Sequence, residues 1–342
     1  MALTVWAPWL DMDDPADNPS DVRAPSDLHT PAEQARPRRP RLKALVDRAA
    51  AISAERRFSA LFAGALGLMG AIYLAFVTTE TGQRLENLAL RGAALRTDSE
   101  RETGLARLSQ VSILIFGAAL VAVVVVGLIR RRPRLGIAVG GLMIASVVAV
   151  ELLKSVLPRP LLVEGPTWIL RNSFPSGSAA VAVAMAIGAI LVSPDRLRWV
   201  IVPLGAAYAA IVVEALQTTG WHRLSDTLGS VLVVIAVASA GLTLLARAGL
   251  VQLSEHGRID RRVRTILLVT ALVALAVATI VLAIGSLFPL LTSSDGGRRV
   301  FLQTAFPLVG IGFVSLAIVA FARVVEPFTL GRGHPRSDAP AP

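Results

Sequence analysis

Between Phe58 and Arg323 the chain alternates long runs of Ala, Val, Leu, Ile and Gly with short arginine-rich stretches. Eight runs are long enough to constrain the fold: Phe58–Thr78, Ser109–Ile129, Leu135–Leu157, Gly177–Val192, Trp199–Leu216, Thr227–Ala246, Thr265–Leu291 and Leu302–Ala322. About 20 residues at ~1.5 Å rise cross a hydrocarbon core of about 30 Å. In lipid every backbone polar group needs a partner within its own segment, so each run is expected to be helical. An ordinary soluble enzyme is excluded, because 54% of the chain is hydrophobic and 17% charged, against roughly 45–50% and about 25% in soluble domains. The expected fold is an all-α polytopic membrane bundle.

The formal charge of +10 would suggest nucleic acid in a soluble protein, but its placement points to the bilayer as partner and to no nucleic acid. Lys and Arg favour cytoplasmic loops. Arg36, Arg38, Arg39, Arg41, Lys43, Arg48, Arg56 and Arg57 precede the first run. Arg130, Arg131, Arg132 and Arg134 follow the second, Arg196 and Arg198 the fourth, and Arg247, Arg258, Arg261, Arg262 and Arg264 the sixth. The opposite connections are mixed: from Glu80 to Arg107, five arginines face five carboxylates. This alternation places both termini in the cytoplasm of a multi-pass plasma-membrane protein, and the connections after the odd-numbered runs outside.

Four regions follow. Residues 1–56 read as a disordered, basic and proline-rich arm without an apolar signal segment, 57–249 as a six-span core, 250–325 as two further spans, and 326–342 as a disordered tail. The chain has no cysteine, so disulfide and thiol chemistry are excluded.

Polar residues concentrate in two outward connections. The third run ends in Lys154, followed by Arg159 between Pro158 and Pro160. On position alone these cations snorkel to the headgroups, yet Lys43 and Lys154 are the only lysines in a chain that otherwise uses arginine. Glu151, one turn earlier, neutralises Lys154. Arg171 then leads into Pro175-Ser176-Gly177-Ser178, where Ser176 is an expected N-cap and the first-turn amides suit an anion. After the fifth run, Trp221-His222-Arg223 precedes Asp226. A carboxylate four residues on can hold one imidazole nitrogen and leave the other exposed. His222 is the one histidine placed outside, and a histidine backed by a carboxylate is a candidate nucleophile for phosphorus.

In this order the three segments resemble the type-2 phosphatidic acid phosphatase family, whose helical core is shared with vanadium haloperoxidases. Its pattern is Lys with Arg-Pro a few residues on, then Pro-Ser-Gly-His, then Ser-Arg followed by His and, four further, Asp. Lys154 with Arg159-Pro160, Pro175-Ser176-Gly177, and His222 with Asp226 carry the likeness, over about residues 58–246. It implies that His222 attacks a phosphate to form a phosphohistidine, with Asp226 orienting it. Lys154, Arg159 and the Ser176–Ser178 turn would hold the phosphoryl oxygens, with no metal or other cofactor. The implied substrate is a phospholipid or polyprenyl phosphate or diphosphate taken from the membrane.

Three positions depart from the pattern. The Lys154-to-Arg159 interval is short; Ser178 stands where a histidine protonates the leaving group; and Ala215-Leu216 replaces Ser-Arg. Arg171 or Arg223 could replace the lost cation, and Glu214 could supply a proton. A relative that binds phosphorylated headgroups without turnover, and a transporter or structural membrane protein, stay open at this stage. Oligomeric state is not legible.

Overall fold

The computed structural model describes residues 38–93, 97–109, 111–164, 170–253 and 295–330, with the single residues 265, 268, 269, 272 and 276. Ala44–Pro342 is one compact unit and carries the helical bundle; Met1–Lys43 is a separate one. The elements in order are α1 (Arg38–Ile72) with a π-helical turn (Tyr73–Val77), α2 (Glu80–Ala93), α3 (Asp98–Leu108), α4 (Ile113–Ile129), α5 (Pro133–Val156), α6 (Gly177–Val192), α7 (Arg198–Thr218), α8 (Leu224–Arg247), β1 (Val251–Leu253), α9 (Asp295–Val325) and β2 (Phe328–Leu330).

Among the described residues, six stretches are long and apolar enough to cross a membrane: Arg48–Val77, Asp98–Ile129, Pro133–Val156, Asp195–Thr218, Leu224–Arg247 and Phe301–Val325. Gly177–Val192 is apolar but shorter. The chain is thus a multi-pass helical membrane protein. Large apolar side chains such as Ile113, Leu114, Ile129, Ile137 and Leu204 lie exposed on the outer surfaces, where lipid rather than water is their solvent. The expected run Thr265–Leu291 falls outside the described residues but for a few single helical positions, as do residues 1–37 and most of the expected tail.

Two differences from the sequence reading have clear causes. Helix α1 starts at Arg38, inside the expected disordered arm, because Leu42–Ala51 is rich in Ala, Leu, Lys and Arg, all strong helix formers. Segment 80–107, read as a mixed-charge connection, forms α2 and α3. Gln83, Glu86, Asn87 and Leu90 give α2 a buried stripe at helical spacing, and Thr97 and Glu100 cap α3 reciprocally.

Helices α6 and α8 are buried along most of their length. The others surround them, and α9 lies mainly on α7 and α2. Alanine at every second position from Ala180 to Ala186 keeps the surface of α6 shallow, the usual device where lipid gives helices no hydrophobic reason to associate. At one end of the bundle, Arg130 donates to Val192 O at 2.5 Å, Arg198 pairs with Asp195 at 3.2 Å and Arg247 with Glu55 at 2.8 Å. There β1 and β2 pair antiparallel, Val251 opposite Leu330, and tie the end of α8 to the end of α9. The basic residues gather at this end. The connections α1–α2, α5–α6 and α7–α8 meet at the other.

The α4–α5 hairpin shows how closely these backbones approach. Arg132 N donates to Gly127 O at 2.7 Å and Arg131 N to Leu128 O at 2.8 Å, with Arg131 at φ 55°, a Schellman ending built on a non-glycine residue. A Cβ on Gly127 would stand 2.8 Å from Gly136 Cα, and one on Gly136 3.0 Å from Val124 Cα. Since main chain has no rotamer with which to yield, Gly127→Ala is expected to cost about 1–3 kcal/mol, measured as a lower midpoint of thermal unfolding in detergent.

Candidate functional site

The site end is assembled by main-chain caps before any side chain acts. Helix α7 ends with Gly220 at φ 74°; Gly220 N donates to Gln217 O at 3.1 Å and Trp221 N to Leu216 O at 3.0 Å. Glycine is needed for this left-handed turn, and His222 N donates to the same Leu216 carbonyl at 3.1 Å. Helix α8 then begins with a one-sided cap, Asp226 Oδ2 accepting from Arg223 N at 2.9 Å. These caps fix the separation of His222 from Asp226.

His222 Nδ1 stands 3.5 Å from Asp226 Oδ2, the carboxylate fully buried and the imidazole 15% exposed. This is ion-pair range without the alignment of a hydrogen bond, and Nδ1 has no hydrogen-bond partner. Asp226 Oδ2 is already engaged, since Ser173 Oγ also donates to it at 2.6 Å. Catalytic hydrogen bonds are often loose before substrate binds, and Nε2 is the nitrogen left for chemistry.

The α5–α6 connection joins the other expected residues to this pair. Asn172 Nδ2 donates to Lys154 O at 3.3 Å and to Leu157 O at 2.9 Å. Ser173 Oγ accepts from Arg223 Nη1 at 2.9 Å. Ser176 N donates to Asp226 O at 3.0 Å, Ser230 Oγ donates to Ser176 O at 2.7 Å, and Ser176 Oγ caps Ala179 N at 3.3 Å. Ser176 is therefore the N-cap of α6, buried, with its polar atoms in use. Lys154, Ser176, Gly177, His222 and Asp226 do come to one end of the bundle. Ser178 is half-buried there and Arg171 exposed.

The cations are less available than their spacing suggests. Lys154 Nζ is held by Glu151 at 2.8 and 3.1 Å, and Glu151 Oε1 occupies the space of a Cβ on Gly177. A carboxylate of the chain thus sits against the start of α6, where an anion was expected. Arg159, its side chain 3% exposed, pairs at 3.2 Å with the fully buried carboxylate of Glu86. Arg223 Nε donates to Asn87 at 3.3 Å. Glu214 accepts from Arg107 at 2.7 Å, which commits it to the contact between α3 and α7.

Glu86 and Asn87 were not singled out from the sequence. Their signal was the polar stripe of α2, whose significance depends on which side of that helix is buried. Glu86 Oε1 accepts from Ser225 N at 2.7 Å, a second carboxylate at the N-terminus of α8. Burial pushes the Glu86 carboxyl up to about 7; Asp226 adds to the rise, while Arg159 and the Ser225 N–H oppose it. Gln83 on the same stripe donates to Pro160 O at 2.7 Å, anchoring the segment that carries Arg159.

Several buried polar atoms here have no hydrogen-bond partner: Arg159 Nη1, Gln217 Oε1, Ser225 Oγ and Asp226 Oδ1, besides His222 Nδ1. Such atoms are uncommon in folded proteins and mark places where a ligand or water belongs. Among the described residues no group of three His, Asp or Glu is arranged to hold a metal.

Removing one member of a buried ion pair leaves the other charge uncompensated, at about 3–5 kcal/mol, whereas replacing both by apolar residues is often neutral. Arg159→Met alone should lower the unfolding midpoint in detergent sharply, and Arg159→Met with Glu86→Met should recover most of the loss. No family model, curated protein or solved structure matches this chain.

Proposed function

We propose that the chain is a membrane-bound phosphatase that hydrolyses a lipid phosphate or diphosphate through a phosphohistidine at His222. The observation that carries this reading is the His222–Asp226 pair at 3.5 Å, seated beside the start of α6, Lys154 and Arg223 at the end of a lipid-embedded bundle. His222, Asp226, Lys154 and the start of α6 are positions that the type-2 phosphatidic acid phosphatase pattern requires, and Arg223 is the candidate substitute for the arginine that Leu216 replaces. His222 Nε2 attacks phosphorus as the bond to the leaving oxygen breaks; water then attacks the phosphohistidine, breaking the P–N bond and releasing phosphate. Asp226 holds the imidazole and stabilises the charge it gains. The first-turn amides of α6, with Lys154 and the spare Nη1 of Arg159, face the charge that develops on the phosphoryl oxygens.

Ser178 cannot protonate a leaving group near neutral pH, which favours substrates whose leaving group needs no proton. A polyprenyl diphosphate, which expels a monophosphate, fits better than a simple phosphomonoester. The basic residues at the far end support placing that end in the cytoplasm and the His222 end outside the plasma membrane.

A second reading, capture of a phosphorylated headgroup without turnover, is favoured by one specific observation. Glu151 and Glu86 neutralise Lys154 and Arg159, so the pocket offers little surplus positive charge to drive catalysis. Purified protein in detergent should release phosphate from a polyprenyl diphosphate, and His222→Ala should abolish release. Restoring the acid with Ser178→His should raise the rate on phosphatidic acid by about 10²–10⁴-fold. No release from wild type, with release from Ser178→His, would establish the second reading.

The absence of cysteine allows the sidedness to be tested in intact cells. A membrane-impermeant maleimide should label Trp221→Cys, whose position is exposed, and should leave Arg196→Cys unlabelled until the membrane is opened. The reverse pattern would invert the topology.

A further inference from the structure

We infer that Glu86 and Gln217 hold the water that attacks the phosphohistidine, with Glu86 as its general base; this rests on the phosphatase reading above. A cavity of about 10 Å³ lies beside His222 and is lined by Glu86, Gln217, Arg223, Gln303 and Phe306. That is room for about one water molecule, and a water is stable only where it finds two or more polar partners.

The orientation of Gln217 supplies the first partner. Thr227 Oγ1 donates its only proton to Leu224 O at 2.8 Å, so it must accept from Gln217, whose Nε2 lies 2.9 Å away. This fixes the amide: Nε2 is committed and Oε1 is an acceptor, buried and without a donor. Gly310 of α9 makes room for this amide, since a Cβ there would stand 2.5 Å from Gln217 Nε2. A water O–H is the donor this acceptor lacks.

Glu86 supplies the second. Its oxygens accept from Ser225 N and Arg159, and a carboxylate has lone pairs to spare for another proton. With its carboxyl raised to about 7 by burial, it can both take and return a proton near neutral pH. In the second half-reaction the water oxygen attacks phosphorus and the P–N bond to His222 breaks. One water proton passes to Glu86, and inorganic phosphate leaves. Neither residue belongs to the three motifs, and the histidine those motifs would use as acid is Ser178 here.

The test separates formation of the intermediate from its breakdown. Full-length protein in detergent micelles is mixed with a polyprenyl diphosphate carrying ³²P in its terminal phosphate, then quenched in alkali, in which phosphohistidine survives. Wild type, Glu86→Gln, Gln217→Leu and His222→Ala are followed in parallel. Glu86→Gln and Gln217→Leu should become labelled as fast as wild type turns over, and should lose the label about 10²-fold or more slowly. His222→Ala should take none.

Label that leaves both variants at the wild-type rate overturns the inference. So does failure of both to become labelled while wild type turns over, since the residues would then act in folding or in the first step. Gln217→Leu carries the test if Glu86→Gln does not fold, because it leaves the Glu86–Arg159 pair intact. Absence of label from wild type and every variant would overturn the phosphatase reading itself, a result distinguishable from either of the others.

Discussion

The polar end of this bundle depends on a buried set of two carboxylates and two guanidiniums. Glu86 comes from α2, Arg159 from the α5–α6 connection, and Arg223 and Asp226 from the start of α8. Ions cost several kcal/mol each to bury, and their mutual attraction offsets that cost only when the remaining lone pairs and protons are also used. Here many of them are. Asp226 and Glu86 take the Arg223 and Ser225 amides at the start of α8, which would otherwise be unsatisfied donors. Because the four charges come from three stretches of chain, the same pairing that neutralises the cluster sets the register of three connections.

That arrangement has a consequence for any phosphate ligand. The four charges cancel, and so do Lys154 and Glu151, so attraction at long range is weak. Affinity must come from donors left over after these pairs form, such as Arg159 Nη1 and the first amides of α6. Such donors discriminate by geometry. A site of this kind suits a ligand already concentrated and oriented by its lipid tail, for which the membrane supplies what electrostatic steering would supply in solution.

How far the sequence could be read follows the same division between lipid and polar interior. The apolar runs were legible because hydrocarbon imposes length and composition: the run expected at Gly177–Val192 matches α6 at both ends, and those at Leu135 and Trp199 are displaced by at most two residues. Most residues of the three motifs do meet at one end of the bundle. What spacing could not show was pairing. Arg159 reads as a phosphate-binding cation until Glu86 is seen against it, and Glu86 lies in a helix whose mixed charge reads as a loop. Glu214 reads as an intramembrane acid until Arg107 is found beside it. Each partner lies more than 70 residues away in sequence, and periodicity carries no information over that distance.

The last helix shows the same point from the opposite side. Helix α9 lies beyond the stretch that carries the motifs and has few charges, so nothing in its own residues assigns it to the site. Yet Gln303 and Phe306 wall the cavity beside His222, and Gly310 makes the space that Gln217 occupies. Without α9 this side of His222 would open to lipid tails or bulk water, and the amide of Gln217 would lose the packing that holds it. A water that must be present singly, oriented and next to a reactive phosphohistidine needs a wall that admits no second one. In the proposed reaction the earlier helices carry the nucleophile, and α9 walls the cavity beside it.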